Sequence, residues 1–184
     1  MLITVEGLDG SGKTTLVRGL ADRLGATALR EPGGEPGAER IRDLVKSHPF
    51  DARAEALLFA AARAQLVATE IAPRLARGET VVIDRFVDSS LAYQGAGRGL
   101  GIDAVRAMNA FAPIPDRTLL LRIDAETGLE RVGGRGSADR FEDLTLLRAV
   151  AAAYDELAAA EPDRWRVLDA TQAPGVLLEA ALEP

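Results

Sequence analysis

Apolar residues follow two rhythms along the chain. Short, nearly unbroken runs stop at or beside a glycine or an acidic residue: Leu2-Ile3-Thr4-Val5-Glu6, Glu79-Thr80-Val81-Val82-Ile83-Asp84, Arg117-Thr118-Leu119-Leu120-Leu121-Arg122-Ile123-Asp124 and Trp165-Arg166-Val167-Leu168. Hydrophobicity this continuous over so few residues is the pattern of strands buried on both faces. Ala28-Leu29-Arg30 is a shorter candidate that runs into the turn-rich Glu31-Pro32-Gly33-Gly34. Between these runs the period lengthens. Leu16, Val17, Leu20, Ala21 and Leu24 recur at helical spacing, and Gly25 closes that helix. A long helical stretch from about residue 53 to 77 should be kinked or divided at Pro73, which lacks a backbone N–H. Further helices are expected near 103–111, 125–131, 142–160 and 174–182. Alternating strands and helices predict right-handed crossovers and a mostly parallel five-stranded sheet flanked by helices. The expected unit is one α/β domain over 1–184, without repeats. Its loosest stretch is the glycine-rich Val132–Asp139, which reads as a mobile lid at about 131–141.

Composition removes whole classes of chemistry. The 184 residues suit one domain with a core large enough to stand without staples. Cysteine is absent, which excludes disulfides, thiolate metal sites and thiol catalysis. His48 is the single histidine, so no mechanism can use two. With 22 basic and 28 acidic residues the net charge is −6, which argues against a duplex-DNA binder working by phosphate neutralisation. No apolar run approaches the roughly 18 residues of a membrane span. The start, MLITVEG, lacks the basic lead and apolar stretch of a signal peptide, so a cytoplasmic location is expected. Lysine occurs only at Lys13 and Lys46. The arginine excess suits bidentate phosphate binding, although codon bias produces the same skew.

The strongest chemical signal is Gly7-Leu8-Asp9-Gly10-Ser11-Gly12-Lys13-Thr14, which satisfies G-x-x-x-x-G-K-[ST] between a strand and an amphipathic helix. Glycines let the backbone curl so that successive N–H groups point at phosphate oxygens, and the helix adds its positive end. Lys13 would bridge the β- and γ-phosphates, and the Thr14 hydroxyl could ligate Mg²⁺. The fold expected is therefore three-layered and P-loop NTPase-like. Asp84, at the end of a second apolar strand, is a candidate metal or water-orienting carboxylate, or else a turn-capping Asp. Arg85 follows it directly. A cation at the carboxyl edge of the sheet points to a second anionic substrate.

Several stretches together resemble bacterial thymidylate kinases over nearly the whole chain. They are Glu6 to Thr15, Arg30 to Gly34, Leu58-Phe59-Ala60-Ala61-Ala62-Arg63, the run DRFVDSSLAYQGAGRG from Asp84 to Gly99, Asp139-Arg140-Phe141-Glu142 and Asp169 to Gln172. The resemblance implies transfer of the γ-phosphoryl group of Mg·ATP to dTMP, with ATP held by Gly7 through Thr15 and by Arg131 and Arg135. In the family the residues at Phe59 and Arg63 hold the thymine. Phe59 can stack on a pyrimidine, or else it is a core aromatic. Arg63, four residues on, could reach a base carbonyl or form a salt bridge. Gln94 can donate and accept at the N3–H edge of thymine, with Ser90 nearby. Tyr93 is expected beneath the sugar, disfavouring a 2′-hydroxyl.

By the same analogy Arg85, Arg42 and Arg98 are candidates for the acceptor phosphate, with Glu31 orienting them. Asp9 would contact the sugar 3′-hydroxyl or the metal-bound water. One departure is informative. Some members of the family carry an arginine immediately after the acid corresponding to Asp9, where this chain has Gly10. It therefore resembles the subtype whose cation comes from the lid, with Arg131, Arg135 and Arg140 available and Arg135 favoured. The Ala170-Thr171-Gln172 loop borders adenine in the family. A homodimer is also implied. Two other readings stay open: a kinase for another deoxynucleoside monophosphate, and a nucleotide-gated switch protein, which the absence of an N-K-x-D motif disfavours.

Overall fold

The structure, a computed structural model, describes residues 1–133 and 143–183. Its core is a five-stranded sheet, all parallel, in the order β2-β3-β1-β4-β5. The strands are β1 (Leu2–Gly7), β2 (Thr27–Arg30), β3 (Val81–Asp84), β4 (Arg117–Arg122) and β5 (Trp165–Asp169). All five fall where the apolar runs place them. β1 is buried along its whole length and β3 nearly so, because helices cover both faces of the sheet.

The helices are α1 (Lys13–Leu24), α2 (Pro36–Ser47), α3 (Ala52–Leu66), α4 (Ala72–Ala76), α5 (Val87–Ser90), α6 (Ile102–Met108), α7 (Ala125–Gly133), α8 (Leu144–Ala160) and α9 (Pro174–Leu182). α1 buries Leu16, Val17, Leu20 and Ala21, while Leu24 is left at the surface. Each fully buried aliphatic side chain of this kind contributes about 1.5–3 kcal/mol. Gly25 ends the helix in the left-handed region, its N–H bonded to the Ala21 carbonyl.

The division expected at Pro73 takes another form. The chain widens into one π-helical turn, Val67–Ile71, and continues directly into α4. The Ala72 N–H reaches back five residues to the Val67 carbonyl, and the wider turn lets the helix pass Pro73 without a break. A second π-helical segment, Leu91–Gly97, extends α5 and carries several of the candidate site residues. Neither this segment nor α2 is among the helices read from the sequence. α2 begins with Glu35 capping the Ala38 N–H and Pro36 in the first turn, a start signal present in the sequence.

Polar groups tie this scaffold beneath the sheet. Thr4 on β1 and Thr118 on β4 are fully buried and bonded hydroxyl to hydroxyl at 2.9 Å. Arg164, just before β5, donates to Thr118 Oγ1 at 2.6 Å and to Asp88 Oδ2 at 2.7 Å. Asp88 belongs to α5, so the helix after Arg85 is fixed to the centre of the sheet.

Candidate active site

β1 is the central strand, and Val5 lies in register with Asp84 of β3. The chain leaving β1 forms the glycine-rich loop, and the chain leaving β3 forms Arg85. Both emerge at the carboxyl edge, where open α/β sheets bind ligands. Two adjoining cavities lie there. One is lined by Asp9, Gly10, Gly12, Lys13, Thr14, Thr15, Arg18, Arg30, Glu31, Arg42, Asp84 and Arg85. The other is lined by Asp9, Glu31, Pro32, Arg42, Val45, Lys46, Phe59, Arg63, Arg85, Ser89, Ser90, Tyr93 and Gln94. Asp9, Glu31, Arg42 and Arg85 belong to both and form the wall between them.

In the first cavity Lys13 is buried, and its Nζ donates to the Leu8 carbonyl at 2.8 Å, with Asp9 Oδ1 at 3.7 Å. Burial pulls the Lys13 ammonium down to about 8. The Thr14 hydroxyl donates to Asp84 Oδ2 at 2.7 Å, so the two oxygen donors expected at a metal stand side by side. The loop tip is packed against α7. A Cβ at Gly10, whose φ is +82°, would lie 2.4 Å from the Gly128 carbonyl oxygen and 3.1 Å from Arg131 Cβ. A side chain at position 10 is therefore excluded. Arg131 is close by: its Nη1 donates to the Ala170 carbonyl at 3.0 Å and to that of Gly10 at 3.4 Å. It thus joins the phosphate loop to the loop at Ala170-Thr171-Gln172. Arg135 and Arg140 lie outside the described residues.

Arg85 is held in an unusual backbone conformation, φ +67°, the only positive φ at a non-glycine residue among those described. Such a conformation costs of the order of 1–3 kcal/mol and persists when its surroundings over-determine it. Here Arg85 N–H bonds to the Val5 carbonyl at 3.0 Å, and Phe86 N–H to Glu6 Oε1 at 2.8 Å. Glu6 Oε2 also accepts from the hydroxyls of Ser89 and Tyr154, at 2.5 and 3.0 Å. Burial, with the nearby Asp88 charge, pushes the Glu6 carboxyl up, partly offset by Ser89, Arg85 and the Phe86 N–H. The Arg85 guanidinium bonds Asp9 Oδ1 at 2.8 Å and Ser89 Oγ at 3.1 Å, and it lies 5.0 Å from the Tyr93 ring centroid. The Arg85 charge holds the Asp9 carboxyl well below the usual carboxylate range.

The lining of the second cavity combines apolar or aromatic surface from Phe59, Val45 and Tyr93 with polar groups from Arg63, Ser90 and Gln94. Arg63 is 3 % exposed, and its fork is fully engaged. It donates to Glu31 Oε2 at 2.7 Å, Asn109 Oδ1 at 2.5 Å, the Phe86 carbonyl at 3.0 Å and Ser90 Oγ at 3.2 Å. A base carbonyl reaching Arg63 would therefore meet a guanidinium already fixed in place. Glu31 is raised to about 7 by burial, against the pull of Arg63, and its Oε1 is buried without a hydrogen-bond partner. Arg42 donates to the Pro32 carbonyl at 2.9 Å.

Arg98, expected near the acceptor phosphate, is placed apart from both cavities. It reaches instead to Glu55 Oε2 at 3.0 Å and to the Phe50 carbonyl. The Glu55 carboxylate that it meets is wholly buried on α3. Glu6, Ser89, Tyr154 and Asn109, which hold the site residues, were not among the candidates, and neither were Arg18, Arg30 and Lys46 in the cavity walls. For Arg30, Glu6 and Ser89 a signal existed, since each sits inside a stretch that carries the family resemblance. For Lys46 it was the scarcity of lysine.

Comparison with known proteins gives one answer. A family model described as thymidylate kinase matches residues 5–180. Thymidylate kinase from Deinococcus radiodurans is 46 % identical over 194 residues, covering 99 % of this chain and 94 % of that protein. The Bacillus pumilus (strain SAFR-032) protein of the same name is 44 % identical over 187 residues, covering 94 % and 88 %. Among solved structures, thymidylate kinase from Ehrlichia chaffeensis superposes with a TM-score of 0.82 at 29 % identity, covering 99 % of this chain and 96 % of that one.

Proposed function

The chain belongs to the thymidylate kinase family, and we propose that its two adjoining cavities hold ATP and dTMP with their phosphates facing each other across Asp9, Glu31, Arg42 and Arg85. The enzyme transfers the γ-phosphoryl group of ATP to dTMP, giving dTDP and ADP. The observation that carries the assignment of the two sites is the shared wall. An acceptor phosphate and a donor phosphate can meet only where one set of residues belongs to both cavities.

In this reading the loop amides and Lys13 hold the donor β- and γ-phosphates, and Arg85 with Arg42 holds the acceptor phosphate. An oxygen of dTMP's 5′-phosphate attacks the γ-phosphorus, the bond to the β-phosphate oxygen breaks, and ADP leaves. No side-chain nucleophile is needed; positioning and charge neutralisation do the work. Asp9 keeps Arg85 aimed, and it remains ionised across the working pH range because of that contact. Thr14 and Asp84 fit Mg²⁺, since both offer hard oxygen atoms at one place, and Mg²⁺ takes one or two protein ligands besides phosphates and water. When bound, the ion would neutralise charge on the β- and γ-phosphates. Arg131 is proposed to line the ATP site, and Arg135 to supply the lid cation; the latter rests on the sequence alone. The acceptor base lies between Phe59 and the polar groups of Arg63, Ser90 and Gln94, with Tyr93 under the sugar. The proposal extends to a cytoplasmic homodimer acting on free nucleotides, not on nucleic acid or membrane. Support for self-association comes from the helix spanning Ala52–Ala76, whose most apolar window is only 33 % buried within the chain and which exposes Leu57 at 52 %.

Two measurements test this. ADP release with Mg·ATP across dTMP, dUMP, dCMP, dGMP and dAMP should show dTMP preferred and dUMP weaker but detectable, because one methyl group is worth only about 1–3 kcal/mol. Equal turnover of a purine acceptor would refute the assignment of the second cavity. Phe59→Ala should raise KM for dTMP about 10–100-fold, in line with the loss of one stacking contact, and leave KM for ATP within about twofold. An unchanged dTMP KM would return Phe59 to a packing role.

A further inference from the structure

Glu55, on α3, has 0 % of its surface exposed and has no role in the reaction just described. Its carboxylate is approached from two sides. Gln94 Nε2 donates to Oε1 at 3.0 Å, and Arg98 Nη2 donates to Oε2 at 3.0 Å. Arg98 is 34 % exposed, so one end of the buried carboxylate meets a cation near the surface and the other meets the amide. Gln94 lines the acceptor cavity, whereas Glu55 lines neither cavity.

A primary amide is two-faced: its oxygen accepts, its nitrogen donates, and a half-turn about the last torsion exchanges them at little steric cost. A carboxylate has only acceptors. Facing Glu55, the amide must turn its nitrogen that way, which leaves its carbonyl oxygen for the opposite side. We infer that Glu55 sets the hydrogen-bond polarity of Gln94, making it an acceptor toward the base, so that the site admits a pyrimidine whose N3 carries a proton and refuses one whose N3 is itself an acceptor.

The inference rests on reading Gln94 as a base contact. Thymine and uracil present N3–H to it and are satisfied. Cytosine would set a lone pair against the amide oxygen, leaving two buried acceptors unpaired, and selection by unpaired polar groups is much sharper than selection by a methyl group. Arg63 has its N–H groups already taken by Glu31, Ser90, Asn109 and the Phe86 carbonyl. Its fixed positive charge at that cavity favours a base carbonyl over an amino group by electrostatics, whichever way Gln94 faces. Reversing Gln94 therefore narrows the preference without inverting it.

Glu55→Gln is the direct test. The new side chain nearly matches the old in shape, its oxygen can still accept from Arg98, and its NH₂ then faces Gln94 and forces that amide to turn round. The expected result is a fall of about 10–100-fold in kcat/KM for dTMP and dUMP alike, with dCMP losing less or gaining. The dTMP-to-dCMP ratio should drop at least about tenfold. A uniform loss for all three acceptors, with the ratio unchanged, overturns the inference and makes Glu55 a packing element. Gln94→Ala separates the two readings. If its ratio is also unchanged, the base contact itself has failed; if its ratio collapses while that of Glu55→Gln holds, only the role of Glu55 has failed. Should Glu55→Gln not fold, a neutron crystal structure of the unaltered protein decides. Deuterium on the Gln94 atom facing Glu55 supports the inference, and an undeuterated oxygen there overturns it.

Discussion

Replacing Lys13 by alanine is expected to lower kcat about 10²–10³-fold, the cost of removing one pre-aimed donor from a site where charge develops. The side chain already lies inside the loop, buried, with Nζ on the Leu8 carbonyl and Asp9 close by. Little reorganisation is needed for it to meet phosphate oxygens. Stability should change little, since the ammonium is not part of the hydrophobic core, and thermal unfolding of the variant provides that control. A kcat within about threefold of the parent would refute the assignment of the donor cavity. The same residue predicts a pH effect. Burial holds the Lys13 ammonium at about 8, so the protonated form is present below that pH and lost above it. The profile of kcat/KM for ATP, which reports the free enzyme, should fall on the alkaline side with a midpoint near that value. In kcat the fall should move to higher pH, because bound phosphates favour the charged form. A kcat/KM profile flat to about pH 10 would mean that the ammonium keeps its ordinary affinity for the proton.

Arg85→Ala is expected to reduce kcat/KM for dTMP about 10²–10³-fold, which falls within the roughly 2–5 kcal/mol lost when one partner of a buried, hydrogen-bonded charge pair is truncated. Two losses combine. The acceptor phosphate loses its guanidinium, and Asp9 loses the cation that holds its proton affinity down. The KM for ATP should move far less, since the loop amides and Lys13 remain. Arg85→Lys should recover only part of the activity, because an ammonium cannot reach Asp9, Ser89 and a phosphate at once as a planar fork does. An ATP KM that rises as much as that of dTMP would move Arg85 to the donor side.

The sheet was legible because strands buried on both faces leave little freedom of composition. Val81, Val82 and Ile83 are wholly buried, and so are Leu119 and Leu121. The phosphate loop was legible because backbone curvature, lysine and hydroxyl must occur at fixed spacing. Helix continuity was less so. Pro73 forecasts a break, yet one wider turn absorbs it, and that depends on packing that no local pattern reveals. The second π-helical stretch, Leu91–Gly97, lacks an apolar period to announce it. Arginine assignments were the weakest. Arg42 and Arg98 look alike as isolated surface cations, but one lines both cavities and the other pairs with Glu55, a residue far away in sequence. Glu55 itself carries no mark in the sequence of the burial that the fold gives it. Gly10 departs from some family members in sequence, and a Cβ there would meet Gly128 and Arg131.

Glu6 and Gly7 are adjacent residues with different clients. Gly7 opens the loop that cups the donor, and Glu6 anchors the turn that carries Arg85. In the proposed arrangement the loop that holds one nucleotide and the turn that carries Arg85 toward the other are thus anchored one peptide unit apart at the end of the central strand. Tinkering with the far walls, on α3 and the stretch after α5, can retune which base is welcomed while that anchorage stays true. New acceptor preferences are therefore to be sought in those outlying walls, where change leaves the alignment of the chemistry intact.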